Sequence, residues 1–146
     1  MSKKLWMGFA AVFIVTILTN FLIHQVLLGG LYRSASMSAL MRPEAEGQAN
    51  LWIHSVTAAV IAFFFTLIFS KGYEGKGIGE GVRFGFYVGM LMSIPMAYDT
   101  YAEMPIPYSL ALQWFIYGVV QFVILGVVVA MVFGKSAAAP APVTKE

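Results

Sequence analysis

The chain has 146 residues, of which 60% are hydrophobic and 11% are charged, and its formal net charge is +2. Ordinary soluble domains carry about 25% charged residues, so this chain has too little polar surface to cover a water-soluble globule and is predicted to lie in a lipid bilayer. The absence of cysteine excludes disulfides, thiolate metal sites and thiol catalysis.

The first apolar run predicts a membrane span over about residues 5–29. It is longer than the hydrophobic region of a typical signal peptide, so we expect it to be retained. Its last third is polar, and Thr16, Asn20 and His24 are spaced by four, which puts them on one helix face. The polar stretch that follows, residues 30–50, is predicted to be a loop with one short interfacial helix.

A second span is predicted over about residues 51–70. It has a small or polar residue at every fourth position, and such a row faces a neighbouring helix when membrane helices pack. The members of this row are His54, Ala58, Ala62, Thr66 and Ser70. The glycine-rich connection that follows is predicted to be a turn, because a phosphate-binding loop would need a preceding strand.

The third span, predicted over about residues 82–104, has the most regular pattern in the chain. In lipid, helices associate by close van der Waals packing, and a row of small side chains lets two backbones approach. We therefore predict that this row is a helix contact around which the other spans are arranged. Its members are Gly77, Gly81, Gly85, Gly89, Ser93 and Ala97.

The predicted fold is an all-α membrane protein, an antiparallel bundle of four transmembrane helices in one domain, residues 1–133. The fourth span covers about residues 108–133, and the Ala- and Pro-rich tail, residues 134–146, is predicted to be disordered. With both termini in the cytoplasm, seven of the nine lysines and arginines lie inside and two outside. This distribution follows the positive-inside rule.

The helix pattern resembles that of small four-span bacterial inner-membrane proteins filed as domains of unknown function. The resemblance includes the loop Lys71-Gly-Tyr-Glu-Gly-Lys-Gly and the stretch Ala97-Tyr-Asp-Thr-Tyr101. It implies a multi-pass protein of the bacterial inner membrane and no established chemistry.

The candidate ligand or metal residues are His24, His54, Asp99 and Glu103. At 1.5 Å per residue, the first three fall in one layer of the outer leaflet. One interpretation is an interhelical hydrogen-bond network that fixes the packing. Another is a site for haem or a transition metal, with methionines as ligands if the metal is copper. A third is transport of an ion or small solute through the bundle.

No catalytic motif is present, so we expect no enzyme activity, and we expect no nucleic-acid partner. Whether a cofactor binds is left open at this point. The favoured prediction is a small integral membrane protein that acts through helix association, either as a homo-oligomer or as an accessory subunit of a larger membrane complex. The alternative is a metal-binding, haem-binding or transport protein that uses the His/Asp cluster.

Overall fold

A computed structural model describes residues 2–134, and no strand is present among them. The prediction of an all-α chain is confirmed. Apart from Gly134, the predicted tail lies outside the described residues. The helices are α1 (Lys3–Phe21), continued by a π-helix (Leu22–Leu27), then α2 (Gly29–Tyr32), α3 (Ala35–Ser38), α4 (Glu44–Ala49), α5 (Leu51–Gly72), α6 (Ile78–Glu103) and α7 (Tyr108–Gly134).

Three helical segments are long and apolar enough to cross a membrane: Lys3–Leu27, Leu51–Gly72 and Tyr108–Gly134. Helix α6 has 26 residues, which is long enough, but it is less apolar than these three. The reason is its composition, because glycines, Ser93 and Pro95 take positions that leucine or valine hold in α7. The chain is therefore an all-helical protein with three apolar helices of membrane length.

Helices α6 and α7 form an antiparallel hairpin that is the most extensive helix contact in the described chain. Residues 104–107, which include two prolines, make the short turn between them. Helix α1 packs against both α5 and α7. Helix α5 touches the hairpin mainly through aromatic rings, with Phe65 and Phe84 centred 4.7 Å apart.

We call one end of the bundle the terminal end, because it holds the first turn of α1, the α5–α6 connection and the last turn of α7. There Lys4 Nζ donates a hydrogen bond of 3.1 Å to the Phe133 carbonyl. The ring of Phe69 packs against those of Phe84 and Phe133. Aromatic packing therefore closes the bundle at the terminal end.

At the opposite end, which we call the loop end, residues 28–40 fold back over the turn between α6 and α7. Met37 of α3 is 1% exposed and belongs to a second apolar core with Leu28 and Leu110. The sequence predicted one short helix in this loop, and the structure has three. The apolar side chain of Met37 is buried while its polar neighbours stay exposed, and this explains why part of the polar segment packs against the bundle.

The first turns of α5, residues 51–57, differ from the rest of the bundle. Every one of these residues is exposed, and the first buried residue of α5 is Ala58. The predicted small-residue row of α5 is buried at Ala58, Ala62 and Thr66, whereas its first member, His54, is exposed. The buried residues of α5, from Ala58 to Phe69, all lie nearer the terminal end.

The glycine-rich connection between α5 and α6 is an ordered turn. The Glu80 carboxylate, 9% exposed, accepts hydrogen bonds from the backbone N–H groups of Glu74 and Lys76 at 2.6 and 2.8 Å. Gly75 and Gly77 have φ of 78° and 75°, a region that side chains with a Cβ disfavour. One buried acid and two glycines therefore shape the turn.

Candidate functional site

The small-residue row of α6 lies against α7. Gly81, Gly85, Gly89, Ser93 and Ala97 are all buried, and each is one helical turn from the next. A Cβ added to Gly85 would overlap the Phe122 carbonyl oxygen and stand 2.8 Å from the Val123 Cα. The α6 backbone therefore touches the α7 backbone directly, which is what small residues permit in membrane helices.

Helix α7 contributes small residues of its own to this contact. A Cβ on Gly126 would overlap the Gly81 carbonyl oxygen, and one on Gly118 would stand 3.0 Å from the Ser93 Cβ. The row therefore faces a complementary row, and the contact extends over most of both helices. Gly77 takes no part, because it is the residue before the first turn of α6 and a Cβ there would meet nothing within 4 Å.

A polar cluster lies at the loop end, where α1 passes into its π-helix. His24 Nδ1 is 2.8 Å from the Tyr32 hydroxyl, and Trp114 Nε1 donates to the same hydroxyl at 2.7 Å. The rings of His24 and Tyr32 are stacked, with an interplanar angle of 13°. A π-helix is rare and often marks a functional or strained position. The cluster therefore joins α1, α2 and α7.

The Tyr32 hydroxyl is the shared partner in this cluster. The indole N–H of Trp114 is only a donor, so the Tyr32 oxygen accepts it, and the hydroxyl still has its hydrogen and a second lone pair for His24 Nδ1. Burial raises the pKa of Tyr32 above its usual value, and the hydrogen bond from Trp114 opposes this shift. Tyr32 therefore keeps its proton at neutral pH.

A second polar group connects α1 to α7 closer to the centre of the bundle. Gln121 Nε2 donates to Thr19 Oγ1 and to Asn20 Oδ1, both at 2.8 Å. The two hydrogens of one amide nitrogen are thus used by two neighbouring residues of α1. Hydrogen bonds between membrane helices of this kind are worth about 0.6 kcal/mol each, up to about 2 kcal/mol.

A cavity of about 40 Å³ lies between these two polar groups. The volume is that of one or two water molecules, since a water takes about 30 Å³ in the liquid. It is well below the several hundred Å³ of a typical cofactor or drug-sized pocket. Its lining residues are Ile23, His24, Met96, Trp114, Tyr117, Gly118 and Gln121.

The structure does not assemble the four predicted ligand residues into one site. His24 is half-buried in the polar cluster, whereas His54, Asp99 and Glu103 are exposed. His54 lies on the exposed turns of α5, outside the hydrogen-bond network of His24. Within residues 2–134, no three His, Cys, Asp or Glu residues are grouped so as to hold a metal ion.

The sequence analysis did not identify three residues that make contacts between the helices. Tyr32 and Trp114 complete the His24 cluster, and the only hint of this was that both are aromatic residues with polar atoms near the predicted membrane interface. Gly8 of α1 admits the Thr66 methyl group of α5, because a Cβ there would stand 2.8 Å from it. An isolated glycine in an apolar run gives no spacing pattern, so its contact was not predicted.

Comparison of the chain with family models, curated proteins and solved structures found no match.

Replacing Gly85 by alanine is expected to destabilise the α6–α7 hairpin. The added methyl group overlaps the α7 backbone, and overpacking of this kind costs about 1–3 kcal/mol. Gly79→Ala is the matched control, since it adds the same methyl group to the same helix where nothing lies within 4 Å. Unfolding in detergent, followed by circular dichroism, measures the difference. Equal unfolding midpoints for the two variants would show that the hairpin tolerates a side chain at Gly85.

Replacing Tyr32 by phenylalanine is expected to weaken the packing of the first loop on α7. The change leaves the Trp114 N–H without its acceptor, and a lost buried hydrogen bond costs about 1–3 kcal/mol. The indole N–H resonance of Trp114 should move upfield in an ¹⁵N-labelled sample. The control is Tyr87→Phe, where the side chain is 66% exposed. An unchanged Trp114 resonance in Tyr32→Phe would rule out this hydrogen bond.

Proposed function

We propose that this chain is a four-span protein of the bacterial inner membrane that acts through helix association. It functions either as a homo-oligomer or as an accessory subunit of a larger membrane complex. The proposal includes no enzymatic activity. The observation that carries it is the exposure of the first turns of α5, which lie in a helix of membrane length and contain no buried residue.

The contact between α6 and α7 supports a fourth span. The row from Gly81 to Ala97 follows α7 along most of its length, with Gly81 near Gly126 and Ser93 near Gly118. A helix that lies parallel to the axis of a membrane-spanning helix and touches its backbone shares its depth in the bilayer. Close backbone packing compensates for the lower hydropathy of α6, because the glycines face protein rather than lipid.

The exposed turns of α5 provide a surface for association. They combine large apolar side chains with polar ones, and a polar side chain in a membrane favours a protein neighbour over lipid. Trp52 is 64% exposed and Val56 is 52% exposed. The polar members are His54, Ser55 and Thr57.

The glycine row is not the surface proposed for association with other chains. Its members are buried against α7 within the same chain, so a second protein has no access to them. The polar side chains of α1 are likewise bonded within the chain: Asn20 by Gln121 and His24 by Tyr32. These bonds favour the packing interpretation of the histidine region over ligand binding.

The orientation proposed has both termini in the cytoplasm. The terminal end carries Lys3, Lys4, Lys71, Lys76 and Arg83, while Arg33 and Arg42 belong to the loop end. Lys135 and Lys145 follow α7 in the sequence, which makes seven basic residues against two. Basic residues in short flanks of membrane helices stay on the cytoplasmic side.

A single cysteine at Val56 is expected to form a cross-link across the proposed interface. The chain has no native cysteine, so any disulfide that the Val56→Cys variant forms involves position 56. After oxidation in liposomes, a homo-oligomer gives a disulfide-linked dimer. If the chain is instead an accessory subunit, the liposomes give no dimer and native membranes give an adduct of defined larger mass.

The matched control is Leu22→Cys, an apolar position at similar depth at the start of the π-helix that continues α1, and its side chain is 49% exposed. It should give neither product. Cross-linking at Leu22 equal to that at Val56 would indicate random collision, and the absence of any product at Val56 would contradict association through α5.

The proposed orientation predicts opposite labelling of two further single-cysteine variants. Ser38→Cys lies in the first loop and should react with a membrane-impermeant maleimide in intact cells. Ser136→Cys follows the last helix and should react only after the membrane is permeabilised. Comparing the two before and after permeabilisation measures the orientation directly, and the reverse pattern would place both termini outside.

A further inference from the structure

A groove of about 460 Å³ lies between α1 and α7 at the terminal end. This volume falls within the range of about 300–1,000 Å³ that is typical of ligand sites. The wall of the groove is apolar, and two lysines stand at its mouth. Its lining residues are Lys3, Lys4, Met7, Val128, Met131 and Val132.

The two lysines differ in what they bind within the chain. Lys4 donates to the Phe133 carbonyl, which fixes it beside the last turn of α7. Lys3 has no hydrogen bond or ion pair among residues 2–134, where the ion pairs are Arg42 with Glu46 and Lys76 with Glu74. The first turn of α1 contains no acidic residue. The mouth of the groove is therefore positively charged and uncompensated.

From this combination we infer that the groove binds an anionic phospholipid. The phosphate lies at the Lys3 ammonium group, and an acyl chain lies along Met7, Val128 and Met131. Basic sites between membrane helices recognise anionic headgroups in this way. Because Lys3 is in the first turn of α1 and Met131 is near the end of α7, the mouth lies at the membrane interface. The inference rests on membrane insertion of α1 and α7, not on association through α5.

Charge favours a lipid over the other two candidates for this groove. A second copy of the chain would bring its own Lys3 to the same place, and like charges repel. Residues 135–146 contain two lysines and one glutamate, a net charge of +1, so their net charge does not complement the lysines of the groove either. An anionic lipid is the candidate that supplies both a negative group and a flexible apolar chain.

Protection of a cysteine in the groove tests the inference. Met131→Cys is made in the cysteine-free, full-length chain, and its reaction with a maleimide is timed in detergent. Dioleoyl phosphatidylglycerol should slow this reaction several-fold at concentrations where dioleoyl phosphatidylcholine has no effect. Ile116→Cys, an exposed position elsewhere on α7, should be insensitive to both lipids.

A lysine variant then tests the charge. When Lys3→Gln is combined with Met131→Cys, the phosphatidylglycerol concentration needed to protect the cysteine should rise about fivefold. This is the effect of removing one basic residue near an anionic surface. Lys71→Gln removes a lysine at the same end of the bundle, outside the groove, and should leave that concentration unchanged. Equal protection by the two lipids, or an equal effect of both lysine variants, would overturn the inference. Slow labelling before any lipid is added would also overturn it, because the groove would then be covered by protein.

Discussion

The direct contact between the backbones of α6 and α7 is the constraint on which the rest of the fold depends. Gly81 and Gly126 each leave room for the carbonyl oxygen of the other, so neither position accepts even a methyl group. In lipid there is little hydrophobic driving force between helices, and close van der Waals contact has to hold them together. The hairpin built in this way gives α7 a fixed position, and α1 then packs on its other side.

The two ends of the bundle are stabilised by different interactions. At the terminal end, aromatic rings of α5, α6 and α7 fill the space between the helices, with Phe69 at the centre of the group. Toward the loop end, polar side chains connect α1 and its π-helix to α7, through Gln121 closer to the centre and through the Tyr32 hydroxyl at the end itself. Polar contacts between helices require particular partners, so they fix which residues face each other. Helix α5 takes part only in the first kind of contact.

The sequence predicted the helices well because long apolar runs and breaks such as Pro105 and Pro107 determine their positions. The spacing of Gly81, Gly85 and Gly89 also predicted which face of α6 is buried. It did not identify α7 as the partner, since a small-residue row can pack within a chain or between chains. The site was harder to predict. The partner of His24 lies in a loop that folds back, and the exposure of His54 depends on how α5 is held, which no local pattern encodes.

The exposed turns of α5 relate this architecture to the proposed function. A partner helix that packs on residues 51–57 would cover side chains that are exposed in the described part of the chain, and it would break none of the hydrogen bonds between α1 and α7. A partner on the glycine row would instead have to separate two backbones that already touch. Association through α5 therefore adds packing energy without a compensating loss, whereas association through the glycine row would exchange one close contact for another. Because the proposed partner surface on α5 is separate from the glycine row, the α6–α7 hairpin stays intact whether or not a partner is bound.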